Sequence, residues 1–446
     1  MDTGIGDILE VAIPAILIAF SLVVLMVHKE LGPFVGISTG GKWMLTLAFG
    51  MGVIAFAFKI TVALSVAKAP EQIVAPVIAA YRQSPVKHLN EWGTGIFDAS
   101  GVPKEYIWEA LPDKAPAPDD NPTTPEKVSL GKRLYYDARL SGDGTLSCAS
   151  CHDLYGKGGG DGHRTATGIR GQVGGRNAPT VWNAAFQSVM FWDGRARSLE
   201  EQAKGPIMNP IEMGMTSVAE VEHRVSTDPA YQEEFARVFG PNQPITIDLI
   251  AKAIAAFERT LITPDAPYDR FVRGDATALT PQQIRGMALF ESVGCVTCHR
   301  GPAFSDASLL GGQMAMRIFP TNPTPYETRY DLLADGGASG QHGVRGTWRV
   351  ASLRNIALTG PYLHNGSVDN LQEMVRIMAS AQLGATVGAN AAPPRSVVWS
   401  PQERVFKRIE RRTLSDQDVE DIVAFLNSLS SDTLSAQLAK SKLVKR

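Results

Sequence analysis

Cysteine is scarce: the 446 residues contain only four. All four fall in two pentapeptides, CASCH from Cys148 to His152 and CVTCH from Cys295 to His299. No thiol remains for a disulfide or a thiolate zinc site, and no spare Cys or His pair stands at zinc-ligand spacing. Net charge is nearly absent as well. With 43 basic and 45 acidic side chains interspersed, the formal charge is -2, so nucleic acid, which needs a basic field, is not a candidate partner. Alternating apolar and polar runs are almost wholly missing, and the expected fold class is therefore all-α.

What is present starts with the two pentapeptides. A single CxxC reads as a redox dithiol or half of a metal knuckle, but here His follows both copies. CxxCH is the attachment signature of c-type haem, in which the thiols add to the porphyrin vinyl groups and the His coordinates iron. Cys148, Cys151 and His152 thus specify one covalent haem c, and Cys295, Cys298 and His299 a second. Each copy is approached similarly. A helical stretch KVSLGKRLYYD, Lys127 to Asp137, leads through a Gly/Ser turn into the first. Before the second, Thr280 is placed as an N-cap and Pro281 in the first turn of an amphipathic helix. A closing helix is expected from Leu414 to Leu429, with a Ser cap and an acidic first turn.

Two long apolar runs, Ile8 to Val27 and Trp43 to Val66, read as transmembrane helices. A cleaved signal peptide fits the first poorly, because Asp2, Asp7 and Glu10 stand where a basic region belongs. Lys59 in the second snorkels toward the headgroups. His28, Lys29 and Lys42 put the intervening loop in the cytoplasm, so the expected location is a bacterial inner membrane with the haem part in the periplasm. Membrane lipid, and other membrane subunits, become partners on that reading. The expected organisation is 1–67 for the two spans, 68–122 for a Pro-rich spacer, 123–270 for a first cytochrome c-like haem domain and 271–446 for a second. After His152 a glycine-rich loop runs to Asn177. It matches no phosphate-binding pattern and is read as backbone that passes close to a porphyrin face. The stretch from Gly301 to about Gly346 is expected to be an irregular surface loop.

FWDGRA from Phe191, QAKGPIMNPIEMGM from Gln202 and LRNIALTGPYLHNGS from Leu353, together with both CxxCH motifs, resemble the bacterial di-haem cytochrome c peroxidases over about 123–430. That family also includes the enzyme that matures tryptophan tryptophylquinone. The resemblance implies a peroxidatic first haem and an electron-transfer second haem. It implies that Glu212, helped by Gln202, moves the proton as the O–O bond breaks, and that Trp192 lies between the haems. It makes His299 and Met378 the ligands of the second iron, with Met374 the competitor; the quinone-maturing branch carries Tyr at the position of Met378. Asn177, Thr359 and Pro361 match positions that hold a calcium ion. Hydrogen peroxide, a c-type cytochrome or cupredoxin donor, and a homodimer are the partners implied. One departure stands out. Where most members carry a His that caps the peroxidatic iron, this chain has Ile169. The nearest imidazole in that loop, His163, is expected to be solvated, so the first haem is expected to be open even when oxidised. Two other functions fit the same motifs: oxidation of a partner protein or organic molecule, and a non-enzymatic electron-transfer subunit of a membrane complex.

Overall fold

A computed structural model describes residues 24–26, 28–29, 38–46, 108–339, 344–388, 395–400, 405–410 and 413–444. The chain divides into two compact units, Met1–Ala75 and Pro76–Arg446. Both CxxCH motifs lie in the second, so the boundaries expected at 122/123 and 270/271 fall inside one unit. No helix among the described residues is long and apolar enough to cross a membrane. A span needs roughly 20 consecutive apolar residues, and the described helical pieces of the first unit are far shorter. Among the described residues the transmembrane helices expected at 8–27 and 43–66 are thus not supported, and neither is the inner-membrane and periplasmic location drawn from them. Most of both stretches lies outside the described residues.

The all-α expectation is also corrected. The described chain is mainly helical but carries strands β1 (Met316–Ile318), β2 (Thr347–Arg349), β3 (Thr386–Val387), β4 (Arg395–Ser400), β5 (Val405–Glu410) and β6 (Thr413–Leu414). They pair as β1 with β2 and β4 with β5, both antiparallel, and β3 with β6, parallel. Most are two or three residues long, too short to print an alternation on the sequence.

Helix α1 (Pro125–Tyr135) begins at Thr124, whose side chain accepts from Lys127 N, with Pro at its first position. It crosses α2 (Ile247–Glu258), which is capped by Thr246. Gly131 makes this crossing close: a Cβ there would sit 1.8 Å from the Ala253 carbonyl oxygen and 3.0 Å from Phe257 Cβ. The same device recurs before the second motif. Helix α3 (Pro281–Val293) starts in a Thr280/Gln283 capping box and crosses α4 (Asp416–Asn427), which starts in a Ser415/Asp418 box. A Cβ on Gly286 would sit 1.8 Å from the Asp421 carbonyl oxygen and 2.9 Å from Phe425 Cβ. Each helix pair thus needs hydrogen at one position to bring backbone against backbone.

Two stretches expected to be loose are packed. In 108–122, Leu111 is fully buried and its N–H donates to Asp269 Oδ1 at 2.8 Å, Trp108 Nε1 donates to Glu291, and Asn121 receives the buried Lys127 Nζ at 2.9 Å. Residues 302–308, placed by the sequence on the surface, are buried. Phe304 joins Tyr268, Phe290 and Phe425 in an aromatic cluster, and Arg354 pairs with Asp269 at 2.8 Å beside it.

Candidate haem sites

Each CxxCH motif opens onto a cavity. The first is lined by Cys148, Cys151 and His152, the second by Cys295, Cys298 and His299. They enclose about 1300 and 1570 Å³ of empty space, including parts open to solvent.

The histidines are prepared for iron in the same way. His152 Nδ1 lies 3.1 Å from Gly159 O, and His299 Nδ1 lies 3.1 Å from Phe304 O. A carbonyl can only accept, so Nδ1 carries the proton and Nε2 is left as the ligating lone pair. Burial lowers the pKa of both rings and keeps them neutral, the form that binds metal. The carbonyl for His152 comes from the glycine-rich loop, where Gly159 takes φ +83° and a Cβ would meet Trp182 Cδ1 at 2.7 Å. The residues present therefore fit two haems c.

The opposite walls differ. Glu212 and Gln202 line the first cavity. Burial pushes the Glu212 carboxyl up, while Arg195 and an Asn209 Nδ2 donor at 2.9 Å pull the other way. Glu258 joins them; it is buried, its Oε2 is unpartnered, and burial raises its pKa to about 8. In the second cavity Met374 and Met378 both reach the wall, among mainly apolar neighbours. Met378 opens a π-helical turn, Met378–Gln382, at the end of the helix Leu371–Ile377; such turns are frequent at functional sites. Trp348 and His364 stack on this side with ring centroids 3.8 Å apart, and Trp348 Nε1 and His364 Nε2 are buried without partners among the described residues.

Trp192 lines both cavities, and its indole N–H donates to Asn177 O at 2.9 Å. Asn177 also borders both, while Thr359 and Pro361 border the second. Among the described residues no group of three or more His, Cys, Asp or Glu side chains could hold a metal ion. Ile169 is buried outside the first cavity's wall, with its N–H on Glu212 O at 2.8 Å. His163 is exposed and does not reach that wall, and His152 is the one imidazole lining it among the described residues. The sequence reading missed Arg349, Glu258, Trp348 and His364. A charged residue inside an otherwise apolar run, as in WRVASL or IAAFERT, was the available signal.

A family model described as di-haem cytochrome c peroxidase matches residues 125–277. Cytochrome c peroxidase Ccp of Escherichia coli K12 is 40% identical over 320 residues, which cover 71% of this chain and 60% of that protein's own length. Cytochrome c551 peroxidase of Nitrosomonas europaea is 38% identical over 311 residues, 70% of this chain and 82% of that one. The crystal structure of a MauG-like protein associated with microbial copper homeostasis superposes with a TM-score of 0.59 at 30% identity, over 75% of this chain and 99% of that one. Paired CxxCH cavities and these relatives lead to one assignment: the chain belongs to the di-haem cytochrome c peroxidase family.

Proposed function

We propose that the chain reduces hydrogen peroxide to two waters at the His152 site, consuming two electrons and two protons, with a c-type cytochrome or cupredoxin as donor. When bound, haem c supplies an iron that accepts peroxide in the first cavity and one that stores an electron in the second. The observation that carries the reading is Glu212, a carboxyl of raised pKa on the wall of the cavity that holds His152. A carboxyl so placed takes the proton from one peroxide oxygen and returns it to the other as the bond breaks. Gln202, on the same wall, orients the oxygens through its amide. Met378 would offer a thioether to an iron held in the second cavity, a ligand that would raise its potential and suit electron storage. Trp192, on the wall common to both cavities, places a π-system between them. Calcium belongs to the proposal at Asn177, Thr359 and Pro361. The Asn177 amide nitrogen already donates to His163 O at 2.9 Å, so Oδ1 is the oxygen left for a hard cation.

Peroxide access needs no prior reduction on this reading. The exposed His163 and the buried Ile169 support it, since neither puts an imidazole in the first cavity. The test is an EPR and optical spectrum of the fully oxidised protein, then peroxide with and without one-electron reduction. A high-spin ferric signal that reacts at once is expected. Two purely low-spin haems that stay inert to peroxide until reduced would sink the proposal of an open site.

A further inference from the structure

Four guanidinium groups line the two cavities, and three have carboxylates of their own. Arg176 pairs with Asp193 and Asp335, both at 2.7 Å; Arg195 pairs with Asp193 at 2.8 Å; Arg317 pairs with Asp306 at 2.7 Å. Arg349 differs in every respect. It lies at the end of β2 on the wall shared by both cavities, is 5% exposed, and pairs with no carboxylate among the described residues. Its Nε donates to Phe191 O at 2.9 Å and its backbone N–H to Trp192 O at 2.8 Å, which fixes it against the segment that separates the haem sites. Nη1 is buried with no partner among the described residues.

An arginine cannot shed its charge at working pH, and a buried charge without a counter-charge is costly. Burial with no acid beside it lowers the Arg349 pKa only to about 10. The polypeptide therefore leaves this charge for an anion from outside itself. Haem c brings two propionate carboxylates into each cavity. We propose that Arg349 neutralises haem propionate where the two cavities meet, and that this one positive charge raises the reduction potentials of both haems together. The proposal rests on the reading that both CxxCH motifs carry haem c. A positive charge favours the reduced iron, which holds one electron more, so its loss favours the oxidised iron.

The test is a spectroelectrochemical titration of the holoprotein carrying Arg349→Gln or Arg349→Lys, with covalent haem counted by the pyridine haemochrome method. Arg349→Gln is expected to keep two haems and to lower both midpoint potentials by on the order of tenfold in each one-electron equilibrium, about 59 mV. Arg349→Lys keeps the charge and is expected to stay near wild type at neutral pH. Its potentials should then fall as pH rises and the buried lysine loses its proton, whereas wild type stays flat over the same range. Unchanged potentials in Arg349→Gln, a fall confined to one haem, or equal falls in the Lys and Gln variants would overturn the proposal. If Arg349→Gln does not accumulate folded, a Lys variant with pH-independent potentials overturns it as well. Fewer than two haems in wild type would instead defeat the cofactor reading.

Discussion

The two CxxCH units share a chassis and differ in one wall. In both, a glycine on the approaching helix lies against a carbonyl of a later helix, Gly131 on Ala253 and Gly286 on Asp421, with Phe257 and Phe425 next to the contact. The residues around those phenylalanines then face the cavities in register. Ile254 lines the first cavity and Ile422 the second. The next pair diverges: Glu258 lines the first cavity and Leu426 the second. Glu212 and Gln202 repeat the contrast against Met374 and Met378. One scaffold thus carries two different walls: helix packing sets where each cavity lies, while a few side chains make one wall acidic and put thioethers on the other.

The strongest way to break this comparison is Glu212→Gln. Peroxide turnover should fall by about 10²–10⁴-fold, the usual worth of a general acid–base group, with electron uptake at the second site unchanged by stopped-flow absorbance. Next is the buried pair Arg354–Asp269, whose side chains are 1% and 0% exposed. Removing one partner strands the other's charge, so Arg354→Ala should cost about 3–5 kcal/mol in urea denaturation. Arg259→Ala in the first unit should cost less, since its partner Glu200 is 16% exposed. The shared chassis predicts matched, smaller losses of about 1–3 kcal/mol each for Gly131→Ala and Gly286→Ala, because the added Cβ must push two backbones apart. A pronounced asymmetry between them would break the equivalence. A different kind of test concerns Glu258, whose carboxyl is raised from 4.5 to about 8 in the fold. The folded chain keeps a proton that the unfolded chain has released, so stability should decline as pH rises across that window. Glu258→Leu, which copies the second unit, should flatten the decline in urea midpoints measured at both ends.

Much of the chassis was legible. Thr280 and Pro281 announce the helix Pro281–Val293, and the expected closing helix 414–429 is found at Asp416–Asn427 behind its Ser415 cap. These are local signals, carried by neighbouring residues. The parts that escaped depend on distance. Asp269 joins Leu111 and Arg354 from opposite directions along the chain, so residues 108–122 and 302–308 looked like loose surface until their partners were in place. The pairing of β1 with β2 spans some thirty residues through an irregular segment. Arg349 sits in a strand of three residues, and only the folded arrangement shows that it borders two cavities and lacks an acid among the described residues. Glu212 and Gln202 came from the family resemblance; nothing in their immediate neighbours distinguishes them from helix-face side chains.

The strap at 108–122, anchored at buried Leu111 and Asn121, has a consequence for the order in which the molecule is made. Its own partners are unequal in age: Asn121 bonds to Lys127 only six residues on, whereas Leu111 awaits Asp269, 158 residues later, and Trp108 awaits Glu291, 183 residues later. During synthesis the early end of the strap must stay undocked until the helix Pro281–Val293 has emerged. Closing such distant contacts is slow compared with local helix formation, so the strap's docking marks the moment at which both halves have been delivered.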